Sequence, residues 1–241
     1  MPLTTFITGS SRGIGKMIAQ TFCCLGHNVV INGTNADRLD QTFQELSAIT
    51  PNIVSILGDM SDHDTVKTTF DQIERRFGPV DVLINNAAIS HIGLFTDMTP
   101  NQWNDLIKIN VNAMLNCVHF ALPKMITRKK GIIVNISSIW GERGASCEAV
   151  YSLTKGAVNG FTKALAKEVA PSNVRVNAIA CGVIDTEMNA FLTPDEKNAL
   201  IDLIPLSRFG TPNEIADLAA YLVSDKSTYI TGQVINADGG I

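Results

Sequence analysis

The sequence has no run of eighteen or more consecutive apolar residues, so no segment reads as a membrane-spanning helix. It also has little net charge: 19 basic against 23 acidic side chains leave −4 at neutral pH. That balance removes the electrostatic case for nucleic acid or an anionic membrane as a partner. Cysteine is sparse and odd in number, five in all and without metal-like spacing. No paired disulfide framework or metal site is implied, and reduced thiols in a cytoplasmic compartment are expected. Cys23 and Cys24, adjacent on a helical pattern, are expected to pack in the core. There is no internal repeat and no low-complexity linker. Charged residues make up 17% and apolar ones 45% of the 241 residues, a globular composition with enough chain for a sizeable core. The first residues already read as a strand, which is expected to leave no room for a cleavable leader.

What is present is an alternation of short apolar runs with longer helical patterns. Strands are expected at Thr4–Thr8, Asn28–Asn32, Ile53–Leu57, Val82–Asn85, Gly131–Ile136, Arg175–Ala180 and Val234–Ala237. Helices are expected near Gly13–Leu25, Asp37–Leu46, Asp64–Phe77, Asn101–Arg128, Ala149–Ala170 and Asn213–Val223. The runs Val82-Leu83-Ile84 and Ile132-Ile133-Val134 are continuous rather than alternating, as a strand covered by helices on both faces requires. The fold class is α/β, one doubly wound Rossmann-type parallel sheet of seven strands in order 3-2-1-4-5-6-7. Residues 185–209 fit neither strand nor a single helix and are broken up by Pro194 and Pro205. A long insertion after a strand end is expected to be a substrate lid.

Two ends of the chain carry chemistry. After the first strand, Gly9, Gly13 and Gly15 precede an amphipathic helix in a G-x-x-x-G-x-G pattern, where glycine lets the backbone approach a pyrophosphate held at the helix N-terminus. A tight strand–helix turn that merely needs glycine is the plainer alternative. Asp59, after the third strand, is placed to accept the adenine amino group. Asn85-Asn86-Ala87-Ala88, after the fourth, offers amides to tie loops together and small side chains that clear space. No carboxylate follows the second strand, which reads Asn32-Gly33-Thr34-Asn35, so nothing there repels a ribose 2′-phosphate. Arg12 can reach such a phosphate, or can be a solvated charge. NADP(H) is therefore expected over NAD(H).

At the other end, Tyr151 and Lys155 lie four apart on one helix face. A nearby cation favours the phenolate, so Lys155 is expected to pull the Tyr151 pKa down toward the working range. Ser138 closes a strand and can hydrogen-bond a carbonyl oxygen. Asn110 is expected to hold water behind Lys155 and relay protons.

This constellation resembles the short-chain dehydrogenase/reductase family over essentially the whole chain. The matching residues are Thr8-Gly9-Ser10-Ser11-Arg12-Gly13-Ile14-Gly15, Asn85-Asn86-Ala87-Ala88, Asn110, Ser138 and Tyr151-Ser152-Leu153-Thr154-Lys155. The resemblance implies Tyr151 as general acid, Lys155 orienting ribose, Ser138 polarising the carbonyl and Asn110 anchoring the relay. It extends the cofactor contacts to Ser11, Ile14, Thr34, Met60, Gly182, Val183, Ile184 and Thr186. Within the family, length and the segment Ile230-Thr231-Gly232-Gln233 look like the 3-oxoacyl-[acyl-carrier-protein] reductases. That likeness implies a carrier-bound ketone, acyl carrier protein as a partner, and a homotetramer joined along its two long helices.

Some features depart from that branch. Cys181-Gly182 stands where the family has Pro-Gly, and Cys181 and Cys147 are candidate wall residues that would make activity thiol-sensitive, or are small packing residues. An acidic carrier calls for basic residues at the cleft mouth, and Arg128-Lys129-Lys130 is one candidate. The lid carries Asp185, Glu187, Asp195, Glu196 and Asp202 against only Lys197 and Arg208, and Glu142 and Glu148 are expected to flank the substrate wall. These carboxylates suit an amine-bearing ketone, or simply face solvent. The stretch Ser137–Gly141 with Gly144–Glu148 is similar to reductases of 5-aminopentanone-modified elongation factor P. A nucleotide-sensing binding protein without turnover is the alternative from another class.

Overall fold

Apolar side chains on both faces need helices on both sides, and that is how the chain folds. The computed structural model describes residues 2–190 and 192–241. Its strands are β1 (Thr4–Ile7), β2 (Asn28–Gly33), β3 (Ile53–Leu57), β4 (Val82–Asn85), β5 (Gly131–Ser138), β6 (Val174–Cys181) and β7 (Val234–Ala237). They form one sheet in the order β3-β2-β1-β4-β5-β6-β7, and every neighbouring pair is parallel. The expected strand order is therefore the observed one.

Successive strand residues feed opposite cores, because side chains alternate across a pleated strand. Ile7, Val29, Ile31, Ile84, Val134 and Ile179 pack on one face, under α1 (Gly13–Cys24), α2 (Ala36–Ser47) and α9 (Pro212–Val223). Phe6, Val30, Leu83, Ile133 and Val176 pack on the other, under α3 (His63–Phe77), α5 (Ala113–Arg128) and α7 (Ala149–Val169). Each such side chain is almost fully buried and contributes roughly 1.5–3 kcal/mol by leaving water. Cys23 joins the first core and Cys117 the second, whereas Cys24 is exposed. The expectation that both adjacent cysteines are buried thus fails for Cys24, because consecutive helix residues point about 100° apart.

The single helix expected over residues 101–128 is interrupted. It comprises α4 (Pro100–Ile107), a π turn (Lys108–Asn112) and α5. Thr99 and Gln102 form a reciprocal capping box before Pro100, which fixes the start of α4. The same device recurs with Thr193, Glu196 and Pro194 at α8 (Pro194–Leu203). Pro194 therefore starts a helix inside the suspected lid instead of breaking one, since proline lacks only an N–H that the first turn leaves unpaired anyway. A short helix, α6 (Trp140–Arg143), follows β5. No helix among the described residues is long and apolar enough to cross a membrane.

Candidate active site

The strand order reverses between β1 and β4, so the loops leaving these two strands diverge and open a crevice. A cleft of about 670 Å³ occupies it. The glycine turn after β1 forms one wall, in close register with the loop after β4. Thr8 Oγ1 accepts from the backbone N–H of Asn86 at 3.0 Å and of Ala87 at 3.1 Å. The Asn86 amide donates to the carbonyls of Thr8 at 3.0 Å and Gly9 at 2.8 Å. Gly9 has φ +60, and a Cβ there would lie 2.7 Å from Ala87 Cα. A Cβ on Gly15 would lie 2.4 Å from Asn86 Nδ2. Only glycine fits either position. Arg12, the residue before α1, makes no side-chain cap hydrogen bond. The first-turn N–H groups therefore keep no side-chain partner, the arrangement that attracts an anion.

Eighteen of the residues singled out from the sequence line this cleft. Gly9, Ser11, Arg12, Gly13, Ile14, Thr34, Asp59, Met60, Asn86, Ala87 and Ala88 line the cleft from one side, and Gly182, Val183, Ile184 and Thr186 from the lid root. Ser138, Tyr151 and Lys155 line the far end. Gly15 does not line it and serves by letting Asn86 through. Asp59 Oδ1 accepts from the Ser61 N–H at 2.9 Å and its hydroxyl at 2.7 Å, and Lys108 stands 3.6 Å from Oδ2. Burial pushes the Asp59 pKa up, but the Ser61 hydrogen bonds and Lys108 outweigh it and hold the carboxyl below its usual range.

Asn110 does not reach the cleft. Its Oδ1 accepts from the Ile89 N–H at 2.8 Å, while Nδ2 donates to the Ile89 carbonyl at 2.9 Å and to Thr154 Oγ1 at 3.1 Å. Both amide hydrogens are engaged by protein acceptors, which leaves the second lone pair of Oδ1 as the side chain's open site for the expected water. Asn110 pins the loop after β4 against α7, and the π turn that carries it brings the amide to that loop.

At the reactive end, Ser138 Oγ accepts from the Trp140 N–H at 3.2 Å, and its own hydrogen faces the Tyr151 oxygen. Lys155 is buried, donates to the Ile136 carbonyl at 2.9 Å, and lies 5.6 Å from the Tyr151 ring centroid. Burial lowers its pKa to about 8, partly offset by Cys181. The Tyr151 pKa is raised, first by burial and then by Cys181 and Glu148, with only the Ser138 hydrogen bond pulling it down. The expected depression by Lys155 is therefore not found in the free protein, because desolvation of the phenol dominates. The phenol is held protonated, the form a proton donor needs.

The surrounding charges rearrange the sequence picture. Arg128 bonds Asp81 Oδ1 at 2.6 Å and the Val80 carbonyl at 2.7 Å. Arg128-Lys129-Lys130 thus precedes β5, whereas Ser138 ends it, eight residues on. A strand rises about 3.3 Å per residue, so this basic cluster is at the opposite end of the sheet from the cleft mouth and is not the anticipated docking patch. Glu142 is exposed with Asn236 Nδ2 at 3.5 Å and does not line the cleft. Glu148 does line it, half-buried, and burial raises its pKa. Cys181 lines the cleft, its pKa raised to about 12 by burial, whereas Cys147 lies outside the lining. No sequence signal marks Ile92, Met188 or Asn189 as wall residues, since Ile92 lies in a loop and Met188 and Asn189 in a one-turn helix too short to show periodicity.

A family model described as "Enoyl-(Acyl carrier protein) reductase" matches residues 9–241. An uncharacterized oxidoreductase, YmfI of Bacillus subtilis, is 41% identical over 242 residues, covering 100% of this chain and 99% of the relative. The 3-oxoacyl-[acyl-carrier-protein] reductase FabG of Chlamydia muridarum is 42% identical over 236 residues, 98% of this chain and 95% of its own length. Among solved structures, a 3-oxoacyl-[acyl-carrier protein] reductase from Brucella melitensis superposes with TM-score 0.93 at 34% identity, covering 99% of this chain and 91% of that one. A putative gluconate dehydrogenase from Agrobacterium tumefaciens gives 0.95 at 31% identity, covering 99% and 95%. With the switch-point cleft, the glycine turn and the Ser138–Tyr151–Lys155 cluster, these likenesses identify the chain as a member of the short-chain dehydrogenase/reductase family and an oxidoreductase.

Proposed function

We propose that the protein uses NADPH to reduce a ketone to a secondary alcohol, and that the ketone is a 3-oxoacyl group borne on acyl carrier protein, as the names of its relatives suggest. The observation that carries the reading is the partly buried Tyr151 phenol, with Ser138 and Lys155, in the lining of the same cleft that the glycine turn enters. Gly9, Gly13 and the first turn of α1 hold the pyrophosphate, Arg12 the 2′-phosphate, and Asp59, Met60 and Ala87 surround the adenosine. Val183, Ile184 and Thr186 hold the nicotinamide, whose chemistry when bound is delivery of a hydride to the carbonyl carbon. Ser138 turns its hydroxyl hydrogen from Tyr151 to the carbonyl oxygen and orients it. Tyr151 then transfers its proton to that oxygen as negative charge develops there, a step general acids accelerate by about 10²–10⁴-fold. Lys155 stabilises the phenolate left behind, and its charge orients the ribose. Asn110 acts as a positioning residue through the Ile89 loop.

The segment 185–209 closes over the substrate as a lid. The protein works in the cytoplasm as a homotetramer, a reading supported by exposed Leu115 on α5 and Leu153 on α7 and tested by light scattering.

A second reading has a specific observation behind it. Among the described residues three carboxylates line the cleft: Asp59 faces Lys108, Glu187 faces Arg12 and Arg38, and Glu148 pairs with no cation. Glu148 lies one helical turn before Tyr151 and shares the wall with Trp140, so carboxylate and aromatic face suit a substrate ammonium. With the basic cluster far from the mouth, this favours an amine-bearing ketone such as 5-aminopentanone-modified elongation factor P. NADPH oxidation with an acetoacetyl thioester and with that modified protein, run side by side, tests both. Turnover of the thioester alone supports the carrier-protein reading, turnover of the amino-ketone alone replaces it, and turnover of neither rejects both.

A further inference from the structure

The adenosine corner of the cleft contains an anion supplied by the protein itself. Glu187 Oε2 lies 3.0 Å from Arg12 Nη1 and 3.7 Å from Arg38 Nη1. The Arg12 hydrogen bond is the main cause of the lowered Glu187 pKa, and the charges of Arg38 and Lys16 add to it. Two arginines thus converge on one carboxylate, with Lys16 acting on it from its own pair with Glu45, beside the end of β2 where Gly33 and Thr34 line the cleft and no acidic residue stands. Arg12 comes from the glycine turn, Arg38 from the first turn of α2 and Glu187 from the lid, so the pair joins both nucleotide walls to the lid.

We infer that Glu187 occupies the position of the cofactor's 2′-phosphate and is displaced when NADP(H) binds, so that it sets phosphate-bearing cofactor against the lid. The inference rests on the NADP(H) reading given above. All three side chains are about half exposed, so the pairs are weak and exchangeable. A phosphate carries about −1.5 to −2 charge and three acceptor oxygens; against a single carboxylate it wins both arginines in charge-assisted hydrogen bonds. Displacement is felt beyond the corner. Glu187 opens the one-turn helix Glu187–Asn189, whose Met188 and Asn189 line the same cleft. Asn189 in turn donates to the Ile184 carbonyl at 2.8 Å, which anchors the lid root when Glu187 lets go. NADH has no group that competes for this position and binds with the Glu187–Arg12 pair intact.

The test is direct titration of NADPH and NADH, followed by nucleotide fluorescence, against the wild type and Glu187→Gln. Glu187 is exposed, and the variant is expected to fold and melt as the wild type does. Two exposed pairs of about 0.2–1 kcal/mol each correspond to an NADPH Kd roughly 2- to 30-fold lower in the variant, with NADH changed by less than about twofold. The same contrast is expected between 2′-AMP and 5′-AMP, and it shrinks in concentrated salt. An NADPH Kd that is unchanged or raised in Glu187→Gln, or an equal gain for both cofactors, overturns the inference. Wild-type protein that binds NADH as tightly as NADPH overturns the cofactor reading itself, a distinct result seen before any variant is made.

Discussion

Gly15→Ala is the substitution whose consequence the structure fixes most tightly. A Cβ at this position lies 2.4 Å from Asn86 Nδ2 and 2.6 Å from the Gly9 carbonyl oxygen, far inside van der Waals contact. The Asn86 side chain has to swing out or the glycine turn has to shift. Swinging out strands the Thr8 and Gly9 carbonyls that the amide now caps at 3.0 and 2.8 Å. A buried polar group left without its partner costs about 1–3 kcal/mol, so the two together cost about 2–6 kcal/mol. For a chain of this size each kcal/mol lowers Tm by about 2–4 °C, which gives a fall of roughly 4–24 °C. NADPH affinity falls with it, because the displaced carbonyls and N–H groups belong to the pyrophosphate cradle; each 1.4 kcal/mol passed on to the bound state is about tenfold in Kd. Differential scanning calorimetry and fluorescence titration read both quantities. Asn86→Ala supplies the control, since it removes the group that the methyl strikes. The double variant is expected to fall short of the sum of the singles by about 1–2 kcal/mol, within the range of coupling seen between neighbours. Strict additivity, or a Gly15→Ala protein that melts and binds NADPH like the wild type, would refute the reasoning.

Other consequences are simpler to state. Tyr151→Phe is expected to lower kcat by at least about 10²-fold while leaving the NADPH Kd within a factor of about three, measured by 340 nm kinetics and titration; unchanged function in this variant would point to a binding protein without turnover. Glu148→Gln is expected to raise KM for an amine-bearing ketone by about tenfold or more, in line with an interaction of a partly desolvated charge, and to leave a neutral ketone of the same shape unaffected; equal effects on both would remove Glu148 from substrate selection. Lys155, with its pKa lowered to about 8, is charged below that pH and neutral above it, so NADPH binding is expected to weaken as pH rises through about 8 and to be flat between 6 and 7. A Kd that stays constant to pH 9.5 would contradict this. Cys181, buried with its thiol pKa raised to about 12, is expected to resist alkylation at pH 7.5 while exposed Cys24 reacts, with activity retained; rapid loss of activity that NADPH prevents would show the opposite.

Much of the fold was legible because it follows from local chemistry. Continuous apolar runs alternating with helical periodicity demand a doubly covered parallel sheet, and handedness leaves few ways to wind it. Glycines at 9, 13 and 15, the Asn86-Ala87 pair, Ser138 and the Tyr151–Lys155 spacing were readable for the same reason, since each is a backbone or one-turn constraint. What was misread depended on where elements end in space. Arg128-Lys129-Lys130 reads as a basic patch in any sequence, and only the strand that follows it carries the cluster away from the cleft. Asn110 reads as a relay residue, and only the packed chain shows that its amide hydrogens go to the Ile89 carbonyl and Thr154 Oγ1. Tyr151 reads as a phenol with a cation four residues on, yet burial, a property of the packed helix and sheet, outweighs that neighbour and keeps the proton in place. Glu148 reads as a substrate-wall acid and Glu187 as one of several lid acids; among the described residues the first pairs with no cation and the second with two arginines. Sequence determined the elements, their order and the chemistry available. Tertiary structure decided which charges meet, because electrostatic interactions depend on distance and burial, and neither is fixed by position along the chain.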